Sequence, residues 1–285
     1  TMMFFTNNGK CYWLKVYDVP EGSKASKGRA IQNVINIEPD DAVQAYMNVE
    51  NLDDSDYINN HYVVLATRKG TIKKTSLEAY SRPRANGIIA INVREEDSLI
   101  EALLTDGDKD ILLAGRKGRC CRFHETTVRA MGRTAAGVRG IRIDDDDEVV
   151  GMICVNGNHE GESQEHILVV SEHGFGKRSL LEEYRRTNRG GKGVKTINIT
   201  DKTGSLIAIK SVTDEGDLMI INKSGITIRV SVSDIRVAGR ATQGVKVISL
   251  RDGDCIAAVC SVEQREEDEM EEETVTDNLE TEENE

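Results

Sequence analysis

Short apolar runs separated by polar turns dominate the chain. His61-Tyr62-Val63-Val64-Leu65-Ala66-Thr67 leads through Arg68-Lys69-Gly70 into Thr71-Ile72-Lys73-Lys74-Thr75. Ile167-Leu168-Val169-Val170-Ser171 leads through Glu172-His173-Gly174 into Phe175-Gly176-Lys177-Arg178-Ser179, and Leu218-Met219-Ile220-Ile221 leads through Lys223-Ser224-Gly225 into Ile226-Thr227-Ile228-Arg229-Val230. Each reads as a β-hairpin whose turn glycine supplies a positive φ. Long amphipathic helical windows are absent, and Ser179–Tyr184 is the place where a turn of helix is expected.

The hairpins recur. The turn glycines are Gly9, Gly70, Gly118, Gly174 and Gly225, and each is followed by a second glycine, Gly28, Gly87, Gly137, Gly193 and Gly244, at intervals of 19, 17, 19, 19 and 19 residues. From one unit to the next the turn glycine advances by 61, 48, 56 and 51 residues. A near-constant inner spacing with a variable outer one describes a repeated module joined by linkers of differing length. Alternation resumes after the second glycine, as in Val138–Ile143 and Val194–Ile199. A further apolar run closes each unit: Leu99–Leu104, Val149–Val155, Leu206–Val212 and Cys255–Val262. Five units of about four strands each predict an all-β, propeller-like disc over residues 1–262.

Charge changes this picture in two ways. The 285-residue chain has 37 Lys/Arg, 49 Asp/Glu and a net charge of −12. Residues 263–285 hold thirteen of the acids and one base, so the body is neutral and the tail carries the whole imbalance. With almost no large apolar residue, that tail is expected to be disordered, and it reads either as a solubilising appendage or as an electrostatic competitor for a basic site on the body. Within the body, the bases are sorted. Windows running from two residues before each first glycine to five after each second hold 31 Lys/Arg and 8 Asp/Glu. In a cyclic array equivalent positions fall at equivalent places, so a basic belt suited to an extended polyanion is expected.

Two positions recur within that belt. At the first glycine plus four stand Trp13, Lys74, Arg122, Arg178 and Arg229. At the second glycine minus four stand Lys24, Arg133, Arg189 and Arg240, with Arg84 one residue nearer. The candidate belt comprises Lys24, Lys27 and Arg29; Lys73, Lys74, Arg82 and Arg84; Arg119, Arg122, Arg129, Arg133 and Arg139; Lys177, Arg178, Arg185, Arg186, Arg189, Gly190, Gly191, Lys192 and Gly193; and Arg229, Arg236, Arg240 and Lys246. The competing reading of any single arginine is a structural tie between neighbouring loops.

Groups for catalysis or metal binding are not apparent. Arg189–Gly193 lacks the spacing of a nucleotide-phosphate loop, and Gly174-Phe175-Gly176-Lys177-Arg178-Ser179 lies in a hairpin rather than before a helix. His159, His166 and His173 do not share a helical face, Asp144–Glu148 lacks the pattern of a calcium loop, and no serine has a nucleophile-elbow context. The six cysteines form no CxxC pair, which argues against a disulfide framework or a cysteine zinc site and for a reducing cytoplasm. No apolar run has the length of a membrane span, and Thr1-Met2-Met3-Phe4-Phe5 has no basic flank of a signal peptide.

Three stretches carry a resemblance. Val128–Ile143, with Arg129-Ala130-Met131-Gly132-Arg133-Thr134-Ala135-Ala136-Gly137 at its centre, Gly70-Thr71-Ile72-Lys73-Lys74-Thr75 and Val237-Ala238-Gly239-Arg240-Ala241-Thr242-Gln243-Gly244-Val245 resemble the C-terminal domain of DNA gyrase A proteins, in the type IIA topoisomerase family. The resemblance covers roughly residues 1–262 and implies a β-pinwheel disc, with strands exchanged between blades, whose perimeter wraps double-stranded DNA. It also implies a holoenzyme of two A and two B subunits that binds ATP and magnesium elsewhere, leaving this domain monomeric by itself and without cofactor, metal or catalytic tyrosine. The family's signature box, Gln-(Arg/Lys)-Arg-Gly-Gly-(Lys/Arg)-Gly, has its nearest match at Thr187–Gly193, which keeps five of seven positions. On that basis the box either lies upstream, along with a truncated sixth blade, or survives here as a degenerate copy. The alternatives are the equivalent domain of topoisomerase IV, which bends DNA without the box, and a protein-interaction propeller, which would need an apolar face in place of the belt.

Overall fold

A computed structural model of the chain describes residues 1–23, 26–156, 165–251 and 253–262. Lys24 and the acidic tail lie outside the described residues. In chain order the strands are β1 (Met2–Thr6), β2 (Lys10–Leu14) and β3 (Val43–Asn48); β4 (Tyr62–Thr67), β5 (Thr71–Ser76), β6 (Ile88–Ile89) and β7 (Leu99–Thr105); β8 (Lys109–Gly115), β9 (Arg119–His124), β10 (Val138–Arg139) and β11 (Val149–Asn156). They continue with β12 (His166–Ser171), β13 (Phe175–Leu180), β14 (Val194–Lys195) and β15 (Leu206–Val212), then β16 (Asp217–Asn222), β17 (Thr227–Ser231), β18 (Val245–Lys246) and β19 (Ile256–Val262). One short helix, α1 (Ser55–Asn60), is capped by the Asp54 carboxylate, which accepts from the amides of Asp56 and Tyr57.

The strands form five antiparallel sheets in the orders β3-β1-β2-β6, β7-β4-β5-β10, β11-β8-β9-β14, β15-β12-β13-β18 and β19-β16-β17. Each unit therefore builds a hairpin and an innermost strand of its own blade, and from the second unit onward sends its short strand to the outer edge of the blade before it. The fifth sheet has three strands because, among the described residues, no later unit supplies a fourth. Innermost strands pack on one another in sequence, β3 on β7, β7 on β11, β11 on β15 and β15 on β19, with no comparable packing between β19 and β3 among the described residues. The result is a five-bladed propeller.

Face-to-face stacking explains the nearly continuous apolar runs. β12 is buried at every position and β4 at all but its first, because both faces of a blade lie against neighbours. Each seam is closed by residues of the later unit: Leu77, Tyr80, Ala90 and Ile91 lie against Met3, Phe5 and Cys11, and Leu181, Tyr184 and Ile197 against Leu112, Ala114 and Cys120. The expected turn of helix near Ser179–Tyr184 is a 3-10 turn at Leu181–Glu183, and equivalent turns occur at Leu77–Tyr80 and Glu125–Thr127.

The glycine pair is the device that fastens the exchange. In four units the turn glycine has φ between +80° and +85°, and the next unit docks on its carbonyl in pairs of N–H bonds. Gly9 O accepts from Ala90 and Ile91, Gly70 O from Gly140 and Ile141, Gly118 O from Thr196 and Ile197, and Gly174 O from Val247 and Ile248. The second glycine passes so close to the recipient strand that a Cβ on Gly137 would lie 2.6 Å from the Ile72 carbonyl oxygen, and on Gly244 2.6 Å from that of Gly176. Only two residues then pair, so the alternation expected over six residues is a strand for two and a seam-filling segment for the rest.

Gly28 does not belong to this set, contrary to its 19-residue spacing. It is exposed and a Cβ there would meet nothing within 4 Å. The counterpart of Ile91-Asn92-Val93 is Ile35-Asn36-Ile37, since Asp41 and Asp97 follow at the same distance and their carboxylates accept from the turn amides of Asn8 and Lys69. No blade precedes the first unit among the described residues, and Ile35 and Ile37 pack on Phe4, Tyr12 and Leu14 of their own blade.

Gly137→Ala places a side chain at φ +89° against a backbone oxygen. It is expected to cost about 1–3 kcal/mol, whereas Gly132→Ala, which meets no atom within 4 Å, changes stability by less than about 0.5 kcal/mol. Denaturant titration of the two variants measures the difference.

Candidate nucleic-acid interface

The cations expected to form one belt occupy two different environments. Lys73, Lys74, Arg122, Lys177 and Arg178 are buried, so their placement on a DNA-facing belt is corrected. At the turn glycine plus four, the side chain enters the seam between its blade and the next. Lys74 Nζ lies 2.7 Å from Glu125 Oε2 of the following unit and 4.2 Å from the Tyr62 ring centroid. Arg122 bonds Asp110 at 2.6 Å and donates to the carbonyls of Leu181 and Tyr184 in the next 3-10 turn. Arg178 pairs with Asp214 and donates to the carbonyls of Ile235 and Ser233. Arg229 bonds Asp217 at 2.5 Å within the last blade and is partly exposed. Arg186, exposed over half its side chain, also grips Asp110, at 2.9 Å. In the first blade Trp13 fills the seam position and contributes packing instead of charge.

Lys73 and Lys177 stand one residue earlier, at the turn glycine plus three. Their ammonium groups are enclosed without a carboxylate partner. Lys73 Nζ donates to the carbonyls of Ala90 and Arg133, and Lys177 Nζ to the Gly239 carbonyl at 2.8 Å and Ser179 Oγ at 3.1 Å. Burial, reinforced by Arg133, pushes Lys73 down to about 7; burial pushes Lys177 down to about 8, with Glu183 opposing.

A second set faces outward on the exchanged strands and the loops before them. Arg139, Lys195 and Lys246 stand at the second glycine plus two, exposed on the outermost strand of three successive blades, with Ile89 in their place on the first. Lys195 is absent from the candidates read off the sequence, although its register with Arg139 and Lys246 is visible there. Arg82, Arg84, Arg129, Arg185, Lys192 and Arg236 are exposed on the loops leading to these strands, Arg119 is exposed at the start of β9, and Lys27 and Arg29 are exposed around Gly28.

The arginines at the second glycine minus four do both jobs. Arg133 Nη1 donates to the Ile89 carbonyl at 3.2 Å, Arg189 Nη1 to that of Arg139 at 3.0 Å and Arg240 Nη1 to that of Lys195 at 2.7 Å. Each ties a loop to the exchanged strand of the unit before it while remaining half-exposed. The Arg189–Gly193 stretch lies on this rim: Gly190 donates to the Gly140 carbonyl at 2.6 Å, and Gly191 accepts from Arg142 at 2.9 Å. Gly193 is the residue used for close passage, since a Cβ there would lie 2.2 Å from the Cys120 carbonyl oxygen of the neighbouring strand.

The acids gather around the glycine turns, close to the exchanged strands: Arg139 pairs with Thr71, the residue after Gly70, and shares a depression with Glu96 and Asp144–Glu148. Asp97 Oδ1 accepts from the Lys69 amide and Asp147 Oδ1 from the Lys117 amide. Lys69 pairs with Glu96, Arg116 with Glu148 and Lys117 with Asp146, so the bases of the turns themselves are matched locally.

A five-bladed propeller with exchanged outer strands and a cationic rim defines the structural class. A family model of the DNA gyrase C-terminal domain, beta-propeller, matches residues 1–48, 61–106, 109–156, 165–213 and 216–259, and the chain belongs to that family. It is 43% identical over 266 residues to the DNA gyrase A subunit of Staphylococcus epidermidis (strain ATCC 12228), matching 93% of this chain and 29% of the relative. It is 43% identical over 271 residues to that of Staphylococcus aureus (strain NCTC 8325), matching 95% of the chain and 30% of the relative. The chain thus spans about three tenths of the length of these relatives. A solved DNA gyrase A C-terminal domain shares the fold at 23% identity and a TM-score of 0.77, covering 91% of this chain and 81% of that one. The C-terminal domain of DNA topoisomerase IV is similar at 25% identity and a TM-score of 0.80, covering 92% and 79%.

Lys74→Met strands Glu125, whose side chain is 0% exposed. It is expected to cost about 3–5 kcal/mol in denaturant titration. The folded fraction should bind polyanions as tightly as the parent.

Proposed function

We propose that the chain is a DNA-binding and DNA-wrapping domain, non-catalytic in itself, of a gyrase A protein. The observation that carries this reading is the repetition of exposed cations at one register, Arg139, Lys195 and Lys246, on the outermost strands of successive blades. Membership of the gyrase C-terminal family supports it. Phosphates running along the rim would meet these side chains and those of the rim loops in turn. Bending a duplex through 40–90° over 20–30 base pairs costs about 1–6 kcal/mol, and counterion release from the neutralised phosphates offsets that cost. Contacts to phosphate rather than to base edges would make binding nearly independent of sequence. In the full enzyme, the curved DNA would present a neighbouring segment to the gate in one hand, and ATP-driven passage with the gyrase B protein would convert that hand into negative supercoils.

The second reading is the corresponding domain of topoisomerase IV, favoured by the fit to that enzyme's solved domain and by the incomplete box at Thr187–Gly193. It would bend DNA without imposing a hand. Relaxing a circular plasmid in the presence of the chain with a type I topoisomerase separates the two: a one-signed change in linking number supports gyrase-like wrapping, and none supports the alternative.

Binding to duplex DNA across a salt series, with bending read by end-to-end energy transfer, tests the main reading. With about eight phosphate contacts, log K should fall with log[salt] at a slope near about −7. Arg139→Ala, Lys195→Ala and Lys246→Ala should each weaken binding uniformly across sequences, reduce the slope by about 0.9, and leave the melting temperature unchanged. Absence of salt-sensitive binding would overturn the reading.

A further inference from the structure

The rim loops are held from beneath by two ammonium groups that the binding surface itself does not use. Lys73 and Lys177 are fully buried, and every hydrogen-bond acceptor around them is neutral: the carbonyls of Ala90 and Arg133 for one, the Gly239 carbonyl and Ser179 Oγ for the other. Their partners are not incidental. Arg133 is itself a rim cation, and Gly239 immediately precedes the rim cation Arg240. Each lysine therefore fixes the backbone from which a rim guanidinium extends.

The two sites share their surroundings. Lys73 faces Arg133 from the rim loop and Tyr80 from the 3-10 turn; Cys11 of the preceding blade lies within reach of Tyr80. Lys177 faces Arg240 from the rim loop and Glu183 from the 3-10 turn, with Tyr184 beside Ser179 and Cys120 of the preceding blade near that tyrosine. Burial drives both tyrosines and both cysteines upward, so they remain neutral. The charged groups left to set the local potential are the lysine, the rim arginine above it and, in the second site, Glu183. In the third unit the equivalent position is Cys121, which lies 3.7 Å from Thr187 Oγ1 and brings no charge beneath the Arg189 loop.

An ammonium enclosed in low dielectric without a carboxylate is held only weakly in its charged form, so its proton responds to nearby charge. A free rim arginine opposes protonation of the lysine below. An anion seated on that arginine cancels the opposition and adds attraction. We propose that Lys73 and Lys177 are positioning residues of the rim whose protonation is coupled to its occupation: an anionic backbone bound at Arg133 or Arg240 draws a proton onto the lysine beneath, and the ammonium in turn tightens the loop that presents the arginine. This rests on the rim being the DNA-binding surface.

The sign follows from linkage. Occupation raises the proton affinity of the lysines, so binding is strongest below their free-state values, near 7 and 8, and weakens as pH rises through them. Each coupled lysine lowers affinity by about tenfold for every tenfold increase in proton affinity that binding induces. DNA phosphates do not titrate in this window.

The test uses the 285-residue chain, with calorimetric titration by duplex DNA, and separately by inorganic polyphosphate, in two buffers of contrasting ionisation enthalpy at about pH 7.5. Lysine Cε resonances are followed by NMR with and without each polyanion. Net proton uptake, reduced in Lys73→Met and in Lys177→Met and reduced in Arg133→Gln but retained in Arg189→Gln, is the expected result. Buffer-independent heats with unchanged lysine titrations overturn the coupling, and the NMR comparison on the parent chain decides it even if a methionine variant fails to fold. Polyphosphate-linked uptake without any binding of duplex DNA keeps the coupling and removes DNA as the occupant.

Discussion

The structure depends on one carbonyl per unit. The turn glycine that closes each hairpin also presents its oxygen sideways to two amides of the next unit, and only a positive φ aims it there. Without that clamp, each unit would be a three-stranded sheet with an open outer edge, as the last blade is among the described residues. With it, each edge is filled by a neighbour and each seam is closed by the segment that follows, such as Ala90-Ile91 or Thr196-Ile197. Blades held this way cannot separate without breaking both a strand and a core.

The clamp also dictates where charge goes. Filling the outer edge with a two-residue strand puts one residue of the pair outward on every recipient blade, and that residue is basic three times in four. The loop leading into the strand arches over the recipient blade, and buried side chains from below hold it there: Lys73 and Lys177 through backbone carbonyls, Arg122 and Arg178 through the turns that precede it. Buried pairs such as Lys74–Glu125 and Arg122–Asp110 lose much of their attraction to desolvation, so their contribution is geometric: they hold the seam side chains in one arrangement against a named turn of the next unit. Acids meanwhile cap the glycine turns beside the exchanged strands. A neutral body thereby acquires exposed cations along its exchanged strands and charge-paired glycine turns beside them.

The repeat, its all-β character and the sorting of bases from acids were legible because all three are set by local rules: a glycine where φ must be positive, apolar runs where both faces are covered, charge where solvent is available. Local spacing misled at Gly28, whose 19-residue interval matches the others although the described residues hold no earlier blade for that segment to join. It misled again at Lys73, Lys74, Arg122, Lys177 and Arg178, where charged residues deep in a seam look in sequence like an exposed strand face.

What the chain alone determined was the unit: hairpin, glycine pair, closing strand, and a basic segment in register with each. What only the tertiary structure decided was ownership. Whether a strand belongs to its own blade or to the one before, and whether a cation faces a phosphate or a carboxylate, depends on which unit lies across the seam. In the second, third and fourth units, residues three and four beyond the turn glycine point to opposite faces of one strand, yet both are enclosed, because a neighbouring unit covers each face. Lys195, two residues beyond its second glycine, stays in water because the strand that carries it is the last in its sheet.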